Sequence, residues 1–359
     1  PRALAAKSDA EFHSILRQML GELKLSHFGI HPKAPDLQAA RQNGIIGLDV
    51  KMLGGQPVVG RVEPGSPAAL AGIKPGFVVS KIDGKPIADL LRQFEESFKS
   101  RSLTIGVKML YRERTLEALM SGPAGTFTDL ELLDAVNTPQ KFRAERLPFT
   151  GEMSQPLGNF PGQQVEFESR LLPGNVGYIR FNMWIIPQMQ KIRTAVRGFA
   201  NAKGIIFDLR GNPGGIGGMA SGVAGLFAAK QYSLGSMRSR GGVTNFVVYP
   251  QQEPFRGKIA ILTDYGSGST SEVFAAGMQE NGAAVVIGDT TAGAVLPSVM
   301  ETLPTGWLFQ YAISDYRSPK NILIEGRGVR PDIRVEQTRK TLLAGRDAQL
   351  DAAVRYVLK

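Results

Sequence analysis

Four apolar runs separated by helical patterns dominate the second half of the chain and restrict the folds it can adopt. The runs are VGYIRF, GIIFDLR, KIAILTD and AVVIGD, all within residues 176–289. Each has the length and apolar character of a strand, and the segments between them are typical of helices. Strands that alternate with helices pair through right-handed crossovers in a largely parallel sheet. We therefore predict an α/β domain here.

Length and composition indicate a folded protein with more than one domain. At about 100–200 residues per domain, the 359 residues suggest two or three domains. Hydrophobic residues make up 43% and charged residues 21% of the chain, as in an ordinary globular protein. Changes of pattern divide it into a helical segment (1–40), a β-rich module (41–122) and the α/β domain (123–359). Residues 121–170, rich in Pro, Gly and Gln, are interpreted as a connector with one or two strands.

The N-terminal segment and the β-rich module have different local patterns. Residues 9–25 carry apolar side chains at helical spacing. Residues 44–120 contain short β-rich runs punctuated by Gly and Pro. Within them we expect a short helix over 67–72, an amphipathic stretch over 87–98 and closing strands over 101–117.

The chain has no cysteine and three histidines, His13, His27 and His31. This excludes disulfides, thiolate metal sites and a cysteine nucleophile, and any imidazole chemistry must use one of the three. His27 and His31 are four residues apart, as metal ligands on a helix can be. Gly29 and Pro32 interrupt a helix at this point, so no metal site is predicted.

The formal net charge of +10 comes from basic residues spread along the chain. They do not form clusters interleaved with aromatic residues, so no nucleic-acid partner is predicted. The uncharged run over 211–229 holds seven Gly and a Pro, which indicates a loop that leads into a helix, not a membrane span. The chain starts Pro-Arg-Ala-Leu without Met, so we expect a processed start. The absence of cysteine fits an extracytoplasmic, periplasmic or secreted, location.

A serine-rich turn, GSGSTSE, follows the third apolar run at residues 266–272. A serine at such a turn places its hydroxyl at a helix N-terminus, where backbone amides can stabilise an oxyanion. Ser269 and Glu272 also have the spacing of a capping box, which would be purely structural. The turn is not the GxSxG elbow of lipases, because Ser267 and Ser271 replace its glycines.

A glycine-rich segment, DLRGNPGG, follows the second run at residues 208–215. Its glycines allow backbone amides to point into a site. The spacing that starts at Gly215 also fits the GxGxxA dinucleotide fingerprint, which needs an acidic residue about 20 positions further on. No Asp or Glu occurs between Asp208 and Glu253, so a nucleotide site is the weaker interpretation.

Taken together, these segments resemble the C-terminal processing (tail-specific) serine proteases and the tricorn core protease. LSHFG, GYIRFN, DLRGNPGG, GSGSTSEVFAAGMQENG, VIGDTTAG and EGRGVRPD occur in the family's order over nearly the whole chain. The resemblance implies an α/β catalytic domain with crotonase/ClpP-like ββα units, polypeptide substrates and no cofactor. It leaves the oligomeric state open.

The resemblance also implies that the β-rich module is similar to a PDZ domain. Its carboxylate-binding loop would comprise Ile45, Ile46, Gly47 and Leu48, whose amides would hold a peptide C-terminus while the peptide adds as a strand. The alternative is a structural module that binds nothing.

The family contains two kinds of serine site, and both place the nucleophile at Ser269. Tail-specific members use a lysine, but Ala294 stands at that position here. The tricorn branch uses histidine, and its Ser-His pair matches Ser26 and His27, with Glu325 as the supporting acid. We therefore expect a Ser-His-Glu site and not a Ser-Lys dyad.

The resemblance implies that the oxyanion hole would comprise the amides of Gly214 or Gly215 and of Thr270. The predicted function is a serine endopeptidase. The alternative is a catalytically inactive peptide- or ligand-binding protein on the same scaffold, since the family's lysine is missing.

Overall fold

The protein is described by a computed structural model that covers residues 2–33, 37–98 and 103–359. The N-terminal segment starts with a 3-10 helix over Ala3–Ala5. It continues with helix α1 (Asp9–Gly21), strand β1 (Gly29–His31) and helix α2 (Leu37–Gln42). Ser8 caps α1 by accepting a hydrogen bond from the Glu11 amide. The helix ends four residues earlier than predicted because Lys24 adopts a left-handed conformation, with φ of 58°.

The next region, which we call the small module, is built around an antiparallel sheet. Its elements are β2 (Asn43–Ile45), β3 (Leu48–Leu53), β4 (Gln56–Val62), α3 (Pro67–Leu70), β5 (Val78–Ile82), β6 (Lys85–Pro86), α4 (Ile87–Phe98), α5 (Ile105–Met120), β7 (Gly122–Pro123), β8 (Phe127–Leu133), β9 (Pro139–Glu145) and β10 (Leu147–Pro148). The main sheet has the order β3-β4-β5-β8-β9, and β6 pairs with β5. Its core includes Val50, Val59 and Leu132, which are inaccessible to solvent.

The closing strands predicted over 101–117 are wrong, because α5 occupies residues 105–120. Residues 101 and 102 lie outside the described residues. Thr104 caps the helix by accepting a hydrogen bond from the Val107 amide. The segment is also rich in Leu, Met, Lys, Arg, Glu and Ala, which favour helices.

The sheet of the small module continues past residue 122, where the sequence predicts the module to end. Strand β8 pairs with β5, with Leu130 opposite Ile82, and β9 pairs with β8. Thr128, Leu130 and Leu132 are buried and alternate with more exposed neighbours, as in a half-buried strand. This part of the predicted connector therefore belongs to the small module.

The α/β domain is centred on a six-stranded sheet. Its elements are β11 (Phe167–Leu172), β12 (Val176–Phe181), α6 (Ile186–Gly198), β13 (Gly204–Asp208), α7 (Gly218–Ala224), β14 (Tyr232–Ser239), β15 (Gly242–Val248), β16 (Lys258–Thr263), α8 (Thr270–Glu280), β17 (Val285–Gly288), β18 (Ser298–Thr302), β19 (Leu308–Ala312), β20 (Asp315–Arg317), β21 (Ile333–Arg334), α9 (Arg339–Leu343) and α10 (Ala348–Leu358). The order is β11-β12-β13-β16-β17-β21. All pairs from β12 to β21 are parallel, and β11 is antiparallel to β12. The predicted parallel sheet is confirmed.

Apolar side chains cover both faces of this sheet. Residues of α6, α7 and α8 share one core cluster with alternate side chains of the strands, and α10 packs in a second cluster with the others. Burial on both faces explains the nearly continuous apolar runs in the sequence. It also leaves the carboxyl ends of the strands as the place for a site.

A separate three-stranded sheet, in the order β1-β19-β18, attaches the N-terminal segment to the α/β domain. In it Ile30 lies opposite Phe309. Strand β19 pairs with β1 and β18 and does not extend the six-stranded sheet. This pairing fixes the position of His27, two residues before β1 begins.

Candidate active site

Ser269 lies in the turn that follows β16 and immediately before α8, at the carboxyl edge of the parallel sheet. Its φ is 51°, a conformation that serine adopts rarely and that marks strain at functional turns. Ser269 is partly exposed, whereas the residues on both sides of it are buried. The turn therefore presents one hydroxyl at the surface of the sheet edge.

The two neighbouring serines are held in the interior. Ser267 donates to the Leu209 carbonyl at 2.7 Å and accepts from the Asp264 amide. Ser271 donates to the Asn212 carbonyl at 3.1 Å and accepts from the Trp184 indole. Both have no solvent exposure, so among the serines of this turn only Ser269 is accessible.

The glycine loop that follows β13 packs directly against Ser269. A Cβ added to Gly214 would lie 2.5 Å from the Ser269 Cβ and 2.9 Å from the Thr270 nitrogen. Gly214 also has a φ of 105°, which side chains other than hydrogen disfavour. Only glycine fits at this contact.

Gly215 and Thr270 supply the unoccupied amides beside Ser269. Within the described residues, neither N–H donates a hydrogen bond, although the Thr270 hydroxyl donates to the Gly215 carbonyl at 2.8 Å. The prediction for Gly214 needs correction, because its N–H donates to Asn212 Oδ1 at 3.0 Å. Gly214 makes room for the turn that carries Ser269, and its own amide already donates a hydrogen bond.

Ser26, His27 and Glu325 form a continuous hydrogen-bonded chain. The Ser26 hydroxyl lies 2.7 Å from His27 Nδ1 and donates to Glu325 Oε2 at 2.9 Å. The ionised carboxylate can only accept, so the Ser26 proton is directed towards it and the hydroxyl accepts from His27 Nδ1–H. This assigns the ring proton to Nδ1 and leaves the lone pair on Nε2, as a general base requires.

Burial lowers the pKa of His27 to about 4. The reference value of about 6.5 would leave a mixture of charged and neutral rings near neutral pH. The lowered pKa keeps the imidazole neutral over that range. His27 is therefore in the protonation state that can accept a proton.

Glu272, which the sequence indicates only as half of a capping box, is the central acceptor of the site. Its carboxylate is fully buried and accepts hydrogen bonds from the Ser269, Gly293 and Ala294 amides at 3.1, 2.7 and 2.9 Å. It also accepts from the Thr291 hydroxyl at 2.5 Å. Burial raises the pKa of Glu272 to about 7, against the opposing effect of these four donors.

The loop over residues 291–295 connects Ser269 to the hydrogen bonds of Ser26, His27 and Glu325. The Ser269 amide donates to the Ala294 carbonyl at 2.8 Å, and the Val295 amide donates to Glu325 Oε2 at 2.9 Å. In the part of the chain that the structure describes, no hydrogen bond joins the Ser269 hydroxyl to the His27 ring. The loop therefore contacts both Ser269 and Glu325 and links the two groups.

A cavity of about 790 Å³ lies between the small module and the α/β domain. All four predicted peptide-binding residues, 45–48, line it, and so do Asn182, Arg210 and Gly211. Gly47 has a φ of 74°, and a Cβ there would lie 2.4 Å from the Ser66 Cβ. The cavity therefore extends from residues 45–48 to the beginning of the glycine loop.

The described residues contain no set of three His, Asp or Glu side chains that could hold a metal ion together. Across residues 2–33, 37–98 and 103–359, no helix has the length and apolar character needed to cross a bilayer. The chemistry available at this edge is that of a serine, an imidazole, carboxylates and backbone amides.

The segment that carries Ser269, the glycine loop and Glu325 matches a known family model. Residues 175–335 match the model of Peptidase family S41. These residues form a peptidase S41 domain. Ser26 and His27 lie outside the matched range. The hydrogen bonds between Ser26, His27 and Glu325 therefore join the S41 domain to the N-terminal segment.

Curated relatives of the S41 domain and its flanking regions are C-terminal processing proteases. The carboxyl-terminal-processing protease of Synechocystis is 27% identical over 278 residues, which cover 76% of this chain and 57% of the relative. That of Bartonella bacilliformis is 26% identical over 329 residues, covering 89% of this chain and 68% of the relative. The chain thus spans little more than half of the Synechocystis protein.

Solved structures confirm an α/β fold shared with S41 proteases. The photosystem II D1 C-terminal processing protease has a TM-score of 0.59 at 20% identity, covering 98% of this chain and 87% of the other. Mature CPAF in complex with lactacystin has a TM-score of 0.66 at 14% identity, covering 97% and 88%. At these identities the likeness concerns the fold alone.

Proposed function

We propose that this protein is a serine endopeptidase in which Ser269 is the nucleophile and His27 the general base. The observation that carries the proposal is the accessibility of Ser269 between two buried, hydrogen-bonded serines, beside the unoccupied amides of Gly215 and Thr270. A helix N-terminus and free amides beside an accessible hydroxyl are suited to acyl transfer.

In the first step, the Ser269 oxygen attacks the carbonyl carbon of the peptide bond while its proton moves to His27 Nε2. The negative charge that develops on the carbonyl oxygen is stabilised by the Gly215 and Thr270 amides. His27 then gives its proton to the leaving amine, and the peptide C–N bond breaks. Water, deprotonated by the same nitrogen, hydrolyses the acyl-enzyme and restores Ser269.

Ser26 and Glu325 serve this step through the other ring nitrogen. The imidazolium formed during attack donates from Nδ1 to the Ser26 hydroxyl, which is polarised by the Glu325 carboxylate. This arrangement holds the tautomer and stabilises the positive ring. Ala294, at the position of the family's lysine, contributes backbone groups to Glu272 and Ser269. This supports the Ser-His-Glu assignment over a Ser-Lys dyad.

We further propose that the small module is a PDZ-like domain that captures the free C-terminus of the substrate at residues 45–48. Support comes from the cavity that these residues share with the α/β domain. A peptide held by its carboxylate in this loop would extend through the cavity towards the glycine loop. An extracytoplasmic location remains a prediction from the sequence.

The test combines fluorophosphonate labelling with cleavage of β-casein. We expect the wild-type protein to be labelled at Ser269, and Ser269→Ala to lose both labelling and cleavage, by at least about a thousandfold. Ser239→Ala, which changes an exposed serine in β14, is the matched control and should behave as wild type. Labelling that persists in Ser269→Ala would identify another nucleophile. A wild-type protein that neither reacts nor cleaves would favour the inactive binding protein.

A further inference from the structure

Lys51, on strand β3 of the small module, forms an ion pair with the nucleophile loop. Its Nζ lies 2.8 Å from Asp264 Oδ2 and 3.5 Å from Glu113 Oε2. The Lys51 side chain is 23% exposed, whereas those of Asp264 and Glu113 are 8% and 4% exposed. The pair is therefore shielded from water, where the attraction between charges is stronger than at the surface.

Asp264 connects this charge to both catalytic loops. Its Oδ1 accepts from the Gly211 amide and from the Gly266 amide, both at 2.8 Å. Gly211 begins the glycine loop that leads to Gly215, and Gly266 begins the turn that leads to Ser269. The loops touch at this point, because a Cβ on Gly266 would lie 2.8 Å from the Gly211 Cα.

Glu113, on helix α5, fixes the other side of Lys51. Its carboxylate accepts from the Met52 amide at 2.7 Å and from the Tyr265 hydroxyl. The Tyr265 hydroxyl in turn accepts from the Met52 amide at 3.0 Å. Through these contacts, strand β3 and helix α5 of the small module hold two consecutive residues, Asp264 and Tyr265, directly before the nucleophile turn.

The neighbouring cation, Arg210, forms its ion pairs with other carboxylates. Arg210 is engaged with Asp208 and Asp347, at 2.6 and 2.7 Å. Burial acts to lower the pKa of Lys51, but the Asp264 and Glu113 carboxylates outweigh it and raise that pKa. Burial likewise acts to raise the pKa of Asp264, and Lys51, the Gly211 amide and Arg210 together outweigh it, so that this pKa is lowered. Lys51 and Asp264 are thus both charged near neutral pH.

We propose that Lys51 is a positioning residue, contributed by the small module, that fixes the nucleophile turn and the glycine loop in catalytic register through Asp264. The proposal rests on the proposed serine peptidase function. It makes the small module a structural component of the active site, irrespective of whether the module binds peptides.

The experiment compares the kcat and KM of Lys51→Met, Lys51→Arg and Lys51→Met/Asp264→Asn in the full chain, together with the rate of fluorophosphonate labelling and the Tm. Displaced catalytic groups cost one to two orders of magnitude in rate. We therefore expect Lys51→Met to lower kcat and labelling by at least about tenfold, with KM within about twofold of wild type. Lys51→Arg preserves the charge and should remain within about threefold of wild type.

The double variant removes both charges, so it avoids an unpaired buried carboxylate and should recover the Tm. If Lys51 positions the loops, its kcat stays at least about tenfold below wild type. A return of kcat to the wild-type value would show that Lys51 only offsets a buried charge, and would overturn the proposal. This result decides the matter even if Lys51→Met does not fold.

Lys81→Met is the matched control, because Lys81 pairs with Glu131 at 3.2 Å within the same module. It should leave kcat, KM and labelling unchanged, and an equal loss of kcat in this variant would contradict a specific role for Lys51. Wild-type protein that is not labelled overturns the proposed function and this proposal together. Labelled wild type with an unaffected Lys51→Met overturns only the role of Lys51.

Discussion

Glu325 accepts two hydrogen bonds from Ser26, one from the backbone amide at 2.7 Å and one from the hydroxyl at 2.9 Å, across 299 residues of sequence. The two carboxylate oxygens thus fix both the chain and the side chain of the residue before His27. This contact sets the ring orientation as well as its tautomer. A substitution here should therefore affect catalysis more than the stability of the fold.

Replacing Glu325 with Gln tests this relationship. The amide keeps the size of the side chain but removes the charge, and its NH₂ group faces donors at Ser26 or Val295. We expect kcat on β-casein to fall about 10- to 100-fold, with a cooperative unfolding transition retained. Glu253→Gln, at an exposed turn, serves as the control. A wild-type kcat in Glu325→Gln would show that the charge of Glu325 is not needed for catalysis.

The lowered pKa of His27 can be measured directly by NMR, because the chain has three histidines. We expect its ring signal, assigned with His27→Ala, to stay in the neutral position from pH 8 to about 5 and to titrate with a midpoint of about 4. The unfolded chain binds this proton at the reference pKa of about 6.5. The contribution of His27 to stability is therefore present above pH 6.5 and is lost as the pH falls towards 4. A midpoint at 6 or above would contradict the burial argument.

Gly214→Ala tests the close contact between the glycine loop and the nucleophile turn. The new Cβ would lie 2.5 Å from the Ser269 Cβ, so one of the two loops must move. We expect the rate of fluorophosphonate labelling to fall about 100-fold. Gly125→Ala has a similar positive φ, 81°, with nothing within 4 Å, and measures backbone strain alone. Equal labelling of both variants would show that the contact is not needed for reactivity.

Capture of a free C-terminus at residues 45–48 predicts a difference between paired peptides. A charged hydrogen bond to a carboxylate contributes about 1.5–3 kcal/mol, so amidation should weaken binding to Ser269→Ala protein by at least about tenfold. Calorimetry with peptides that differ only at the terminus measures this difference. Equal affinities would leave the small module as a structural element.

The sequence was sufficient for the parallel sheet because strands buried on both faces need continuous apolar runs. It was insufficient for α5. The residues of this helix show no clear amphipathic pattern, and the Thr cap alone does not predict a helix. One or two strands were predicted over residues 121–170, but the pairing of β8 with β5, which places β8 and β9 in the small module, was missed. Their alternation is short, and strand pairing over a long separation depends on the partner strands.

Part of the candidate site could likewise be predicted from the sequence, and part could not. Ser269 and the glycine loop were visible locally, and the roles of His27 and Glu325 came from the family resemblance. The local pattern at Glu272 predicts only a capping box, and its contacts with residues 291–294 could not be predicted from the sequence. Lys51 is one charged residue in an alternating strand, and only the tertiary structure brings it to Asp264.

The pairing of β1 with β19 also has a consequence for the order in which the site can be assembled. Chains are synthesised from the N-terminus, so His27 leaves the ribosome long before Ser269. The strand that holds β1 in place ends at Ala312, after the nucleophile. A nascent chain therefore carries Ser269 and His27 before it has the strand that holds β1, so the N-terminal segment can take its place beside the α/β domain only after residue 312 has been made.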